Sequence, residues 1–199
     1  MRDALRRAAG GKTPRKRAPR NPAARRQEII DAAADLISRE GTARVTNRRV
    51  AERAGVPLGS TTQYFKSIDE LRRAGLAELS RRIEREYDEV FEVVAEGSRD
   101  ARGSEALADA ISEYLSDPVR VGADAALCAA AVEDPEVRDI TRAGFDAFLG
   151  RCAPLMDVER AKILFAFTEG AVLNSCYMGV PYDRQTIRLA VALILGDAR

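Results

Sequence analysis

Residues 46–65 carry the side chains whose types and spacing suit contact with a nucleic acid. Thr46-Asn47-Arg48-Arg49 opens one short run, and Leu58-Gly59-Ser60-Thr61-Thr62-Gln63-Tyr64 forms a second after Gly55 and Pro57. The second run is polar yet nearly uncharged, as suits hydrogen bonds to base edges rather than to phosphate alone. Ser60, Thr62 and Gln63 offer donors and acceptors, Tyr64 adds an aromatic ring, and Gly59 lets another backbone come close. Arg48 and Arg49 remain free for DNA, and a third cation, Lys66, follows Phe65. The three cations also suit a solvated surface, and Tyr64 also suits packing against the helix that follows.

Helices must hold these runs in place. Asn21 and Pro22 start the first, whose apolar face is Ile29, Ile30, Ala33, Leu36 and Ile37 and which ends at Gly41 in a left-handed cap. Thr46 caps a second helix over 47–54, with Val50, Ala51 and Ala54 inward, and Gly55 ends it. A third covers about 58–64. Two short helices meeting at a Gly-containing turn have the geometry of a helix-turn-helix, whose second helix enters the major groove. Ser67 followed by Glu70 forms a capping box that opens a long helix over 68–96. Five further helices are expected at about 104–116, 119–132, 135–151, 158–178 and 183–195, with Pro118, Pro135, Pro154 and Pro181 at the breaks and Asp157 and Asp183 as N-caps. The fold expected is all-α, about nine helices.

Charge is unevenly distributed. Residues 1–26 hold ten Lys or Arg and one acid, whereas the 199-residue chain as a whole has a net charge of +1. A basic end beside an acidic body points to a polyanionic partner. Residues 1–21, with Pro14, Pro19 and repelling charges, read as a flexible basic arm. Such an arm tracks a DNA backbone or enters an adjacent minor groove, adding affinity more than sequence choice; the alternative is a solvated tail.

The chain has no histidine. Ser-His-Asp and Cys-His catalysis, His-ligated zinc and Glu-x-x-His di-iron sites are therefore ruled out. No phosphate-binding Gly-x-x-x-x-Gly-Lys-Ser/Thr loop is present, since Gly59-Ser60-Thr61-Thr62 lacks the lysine. No catalytic residue, metal or cofactor is expected. Cys128, Cys152 and Cys176 match no metal or redox spacing and read as buried thiols in a reducing cytosol. The N-terminus lacks the apolar stretch of a signal peptide, and 158–178 is too polar to span a bilayer. A cytoplasmic protein without a membrane partner is expected. The stripe Glu84, Asp88, Glu92 and Glu96 reads as a solvated face.

From about Arg25 to Leu71 the sequence resembles the N-terminal domain of the tetracycline-repressor (TetR) family. The match rests on Ile30-x-x-Ala33, Leu36, Gly41, Thr46, Val50-Ala51, Ala54-Gly55-Val56, Gly59-Ser60, Tyr64-Phe65, Ser67 and Leu71. The resemblance implies a one-component transcription regulator with a base contact at Arg48, phosphate contacts at Thr46 and Asn47, and reading-helix roles for Leu58, Gly59, Ser60, Thr62, Gln63 and Tyr64. Pro57, Thr62 and Ile68 depart from the family pattern. Ile68 stands where a phosphate-holding lysine is usual, and Lys66 lies two residues earlier.

Beside the arm at 1–21, the same resemblance implies a helix-turn-helix domain at 22–70 and a ligand-binding and dimerisation domain at 71–199. It implies a homodimer built on the last two helices. Ala161, Ala166, Gly170 and Ala171 allow close helix approach, and Ile187, Leu189, Val191, Leu193 and Ile194 make an apolar surface too broad for a terminal helix facing solvent. Such a dimer binds a pseudo-palindromic operator in double-stranded DNA. It is expected to act as a repressor released by an unidentified small-molecule effector, with Cys128, Phe145, Phe148, Phe165, Glu169, Asn174 and Tyr177 as candidate pocket residues. Glu169, which interrupts an apolar helix, suits either a ligand cation or a hydrogen bond across the dimer; the Phe residues also suit plain core. The alternatives are a DNA-binding regulator without a small-molecule effector, and a helical interaction module.

Overall fold

The computed structural model describes residues 21–97 and 103–196; residues 1–20, which hold most of the expected basic arm, and residues 98–102 and 197–199 lie outside them. Nine α-helices and one 3-10 turn make up the described chain: α1 (Pro22–Glu40), the turn Thr42–Arg44, α2 (Asn47–Ala54), α3 (Leu58–Tyr64), α4 (Ile68–Gly97), α5 (Gly103–Leu115), α6 (Pro118–Glu133), α7 (Pro135–Cys152), α8 (Val158–Met178) and α9 (Arg184–Leu195). The all-α expectation holds, with each helix end within two residues of its expected place.

Short polar side chains fix most helix starts. Asn21, Thr46, Asp117, Asp134, Asp157 and Asp183 each accept from backbone N–H groups in the first turn, each such cap contributing about 1 kcal/mol. At α4 the box is offset by one residue. Ser67 Oγ accepts from Glu70 N–H, as expected, but the Glu70 carboxylate accepts from Lys66 N–H at 2.7 Å. Gly41 has φ 83° and ψ 165°, so it closes α1 outside the left-handed helical region expected of it. Gly55, at φ 64° and ψ 32°, is a left-handed cap, and its N–H and that of Val56 return to α2 carbonyls.

Two apolar clusters form the interior. The first joins Ile29, Ala33 and Ile37 of α1 to Val50, Phe65, Leu71 and Leu79, and extends to Ala123, Leu127 and Val137 of α6 and α7. The second joins Phe91 and Val94 of α4 to Leu107, Phe148, Cys152, Leu164, Val172, Ile187 and Val191. Helix α4 contributes to both, so it is the rod between the two ends of the molecule. An ion network reinforces the join: Arg82 of α4 reaches Asp31 and Asp35 of α1, while Arg53 of α2 also reaches Asp35. Burial alone would raise the Asp35 pKa, but the hydrogen bonds from Arg82 and Arg53 outweigh it and hold the carboxyl below its ordinary value.

Helix α6 touches α1 at a point where only glycine fits. A methyl group on Gly122 would fall onto the carbonyl oxygen of Ser38, a backbone atom with no rotamer to yield. Gly122→Ala is therefore expected to separate α6 from α1 and to cost about 1–3 kcal/mol, as overpacking typically does. A thermal melt of the purified variant checks this; an unchanged midpoint would mean that the two helices part freely.

Candidate nucleic-acid interface and ligand cavity

Helix α3, the expected reading segment, is presented outward. In α3 only Thr61 is fully buried, its hydroxyl donating to Leu58 O at 2.9 Å. Leu58, Gly59, Thr62 and Gln63 are exposed, and Ser60 is half-buried. Thr62 donates its hydroxyl back to Gly59 O, whereas Gln63 makes no side-chain hydrogen bond among the described residues. A methyl group on Gly59 would meet nothing within 4 Å, so the interior does not demand glycine there. Tyr64 is half-buried against the first cluster, and Phe65 lies in it beneath the Arg26 guanidinium, 5.0 Å from the ring centroid.

The cations near α2 divide. Arg48 is exposed and unpaired among the described residues, as is the Lys66 side chain. Arg49, expected to be free, is not: it donates to both Glu40 carboxylate oxygens at 2.6 and 2.8 Å and to Arg44 O. The hydrogen bond from Arg49, against a smaller opposing effect of burial, holds the Glu40 carboxyl below its ordinary pKa. Thr46 is exposed but its hydroxyl caps α2, accepting from Arg49 N–H at 3.3 Å; Asn47 is half-buried. Arg44, exposed on the 3-10 turn just before α2, was not singled out by sequence, because its position depends on how that turn closes.

At the other end two cavities, of about 530 and about 470 Å³, lie among α4, α6 and α8, with α5 walling the first and α7 contributing to both. Tyr87, Asp124 and Glu169 line both. Phe145 stacks edge-on against Phe165 at 4.8 Å, and Phe148 against Phe165 at 5.2 Å. Of the expected pocket residues, Cys128, Phe145, Phe165 and Glu169 line the smaller cavity, and Phe148 and Glu169 the larger. Asn174 and Tyr177 line neither. Leu164, Phe165, Thr168, Glu169 and Val172 define the cavity side of α8, and at 100° per residue Asn174 and Tyr177 fall on the opposite side; Tyr177 is 75 % exposed. Asp124 and Tyr114 were missed, although an acid inside the apolar run Ala123-Asp124-Ala125-Ala126-Leu127 was a visible signal.

Asp124 is 6 % exposed and accepts from the Tyr114 hydroxyl at 2.6 Å. Burial first, and the neighbouring Glu169 charge second, push its pKa up to about 7. Glu169 is likewise raised by burial, and it accepts from Cys128 Sγ at 3.0 Å. Of the acidic stripe, Asp88 and Glu92 are exposed as expected, Asp88 pairing with Arg151 at 2.6 Å, whereas Glu84 is half-buried, accepts from Ser80 Oγ and lines the smaller cavity. No metal-ligating cluster and no helix long and apolar enough to cross a membrane occurs among the described residues.

Comparison with known proteins matches this architecture to bacterial transcription regulators. The family model "Bacterial regulatory proteins, tetR family" matches residues 29–74. A member of the TetR family from Streptomyces coelicolor A3, SCO1917, superposes with a TM-score of 0.68 at 30 % identity, covering 85 % of this chain and 97 % of that one. The chain belongs to the TetR family. The multidrug binding protein EbrR, in complex with ethidium, aligns with this TetR-family protein at 31 % identity and a TM-score of 0.69, over 85 % of this chain and 98 % of its own. The HTH-type nicotine-responsive transcriptional repressor HdnoR of Paenarthrobacter nicotinovorans is 30 % identical over 123 residues, 59 % of this chain. That alignment spans 60 % of the length of HdnoR. TetR-family regulators bind DNA and form dimers, and the helix-turn-helix and helical C-terminal half described above are the family's arrangement.

Proposed function

We propose that this TetR-family DNA-binding transcriptional regulator is a homodimeric repressor that leaves its operator when a small molecule occupies the α4–α8 cavity. The observation that carries the reading is the combination, on one rod-like helix, of an outward-facing reading segment at one end and a lined cavity at the other. The chain then divides into an arm at 1–21, a DNA-binding head at 22–70 and a ligand-binding and dimerisation body at 71–199.

In the head, Arg48, Gln63 and Ser60 read or hold DNA, with Thr46, Asn47, Thr62, Tyr64 and Lys66 around them. Leu58, 55 % exposed at the start of α3, presents an apolar side chain of the kind that meets a thymine methyl group. The open space at Gly59 suits close approach of a DNA backbone. Arg49 serves chiefly to brace α2 against α1 through Glu40. The cytoplasm is the compartment this role requires. Support for a ligand response comes from relatives: HdnoR is named as nicotine-responsive, and EbrR has been crystallised with proflavin, ethidium and malachite green.

Bound sequences selected from a random DNA pool should form a pseudo-palindrome whose half-sites are one turn apart, about 34–36 Å. Arg48→Ala and Gln63→Ala are each expected to weaken binding to the selected sequence by about 1–3 kcal/mol and to relax preference at one position of each half-site. A uniform loss across all sequences would assign those side chains to phosphate instead.

A further inference from the structure

The cavity holds carboxylates that no protein cation answers. Six acids and one base, Arg120, line the larger cavity. The base is already engaged, lying 3.4 Å from Glu86 and 3.6 Å from Asp117. Asp109, from α5, is held by Arg184 and Arg188 of α9. At the smaller cavity, Arg138 of α7 donates to Ala131 O and Val132 O, and Arg142 pairs with Asp139. Asp124 and Glu169, which line both spaces, are left with a tyrosine hydroxyl and a thiol as their only described partners. Neither carries charge that could balance a carboxylate.

A buried carboxylate without a cation is costly and takes up a proton instead. Among the titratable groups facing the pair, Tyr87 of α4 and Tyr114 and Cys128, on α5 and α6, all have pKa values raised by burial and stay neutral. Glu86 is also raised by burial, which its neighbour Arg120 opposes. Glu84 and Glu89 of α4 and Glu113 of α5 add further negative charge around the rims. The walls between are aromatic: Tyr87, Phe91, Phe145, Phe148 and Phe165. An aromatic cation supplies what this lining lacks, a flat apolar body with a positive charge to set against the two acids.

We propose that Asp124 and Glu169 form a proton-exchange seat for an organic cation, holding a proton between them when the cavity is empty and releasing it to solvent when the cation enters. One positive charge enters and one proton leaves, so the net charge of the site is unchanged. The inference rests on the effector reading of the same cavity and specifies the chemical class of that effector.

Ethidium, whose charge is fixed across the range used, is the test ligand, with the full-length protein and no DNA present. Calorimetric titration in two buffers of different ionisation enthalpy counts protons: about one released per ethidium bound near pH 6 is expected. The association constant should rise about tenfold per pH unit between about pH 5 and 6.5, and level off above about 7.5. Asp124→Asn and Glu169→Gln should each flatten that slope and weaken binding at least about tenfold at pH 8, with a thermal melt reporting that each variant is folded. Phenanthridine, a similar ring system that is neutral at pH 8, should bind far more weakly. Binding with no proton release, or phenanthridine binding as tightly as ethidium, overturns the proposal. So does failure of ethidium to bind. Operator release by a neutral or anionic compound would then keep the effector reading while removing the cation seat.

Discussion

Leu189→Glu combined with Leu193→Glu is expected to turn the protein into a monomer and to lower operator affinity at least about 100-fold. Ten large apolar side chains are exposed on the described chain, and eight of them lie between Val158 and Leu193. Helix α9 divides its faces sharply. Ile187 and Val191 are fully buried, whereas Leu189 and Leu193 are 59 % and 63 % exposed. On α8, Ile163, Ala166, Gly170, Asn174 and Tyr177 share the side away from the cavity, and the small residues at 166 and 170 permit a close crossing. Each leucine buried in a dimer contributes about 1.5–3 kcal/mol, and two from each protomer would be replaced by repelling charges. A dimer gains operator affinity because the second half-site is reached at high effective concentration, commonly about 10²–10⁴-fold. Analytical ultracentrifugation and an operator titration on the same sample check both parts. A variant that remains dimeric moves the interface away from this face.

Asp124→Asn is expected to stabilise the protein at pH 8 and to stabilise it clearly less at pH 5. The Asp124 carboxyl stands near 7 in the folded chain against 3.8 for the ordinary group. Because the folded value is raised, the native state holds the proton more tightly than the unfolded chain. The stabilising contribution is therefore present below about pH 4 and is lost as pH rises toward about 7. Three pH units at about 1.4 kcal/mol each place the penalty at neutral pH on the order of 4 kcal/mol. Asparagine removes the charge and can still accept from the Tyr114 hydroxyl. Melts of the two proteins from pH 5 to 8, compared pair by pair, cancel the opposite trend of Asp35 and Glu78, whose ion pairs weaken as pH falls below about 4. A constant difference across the range would show that ionisation of Asp124 is not the cause.

Asp124→Asn and Gly122→Ala bear on linked parts of the molecule. Asp124 lies two residues beyond Gly122, where α6 rests on the α1 backbone at Ser38. Gly122→Ala is therefore the variant expected to disturb the join between the cavity-lining helix α6 and α1.

The sequence by itself determined the nine helices of the described residues and the polar run at 58–64, because those depend on neighbours in the chain. Caps at Asn21, Thr46, Asp157 and Asp183, the left-handed turn at Gly55 and apolar spacing are local signals, and they placed the helix ends closely. Tertiary structure decided what faced what. It gave Arg49 to Glu40, nine residues away, and withdrew it from the free cations. It turned Asn174 and Tyr177 away from the cavity while Glu169 turned toward it, since the rotation of α8 is set by its packing against α6 and α7 rather than by its own nearly uniform apolarity. It also brought Asp124 and Glu169, 45 residues apart in the chain, to one cavity. Burial raises the proton affinity of both, and the Glu169 charge raises that of Asp124 further, effects that exist only once the helices have packed.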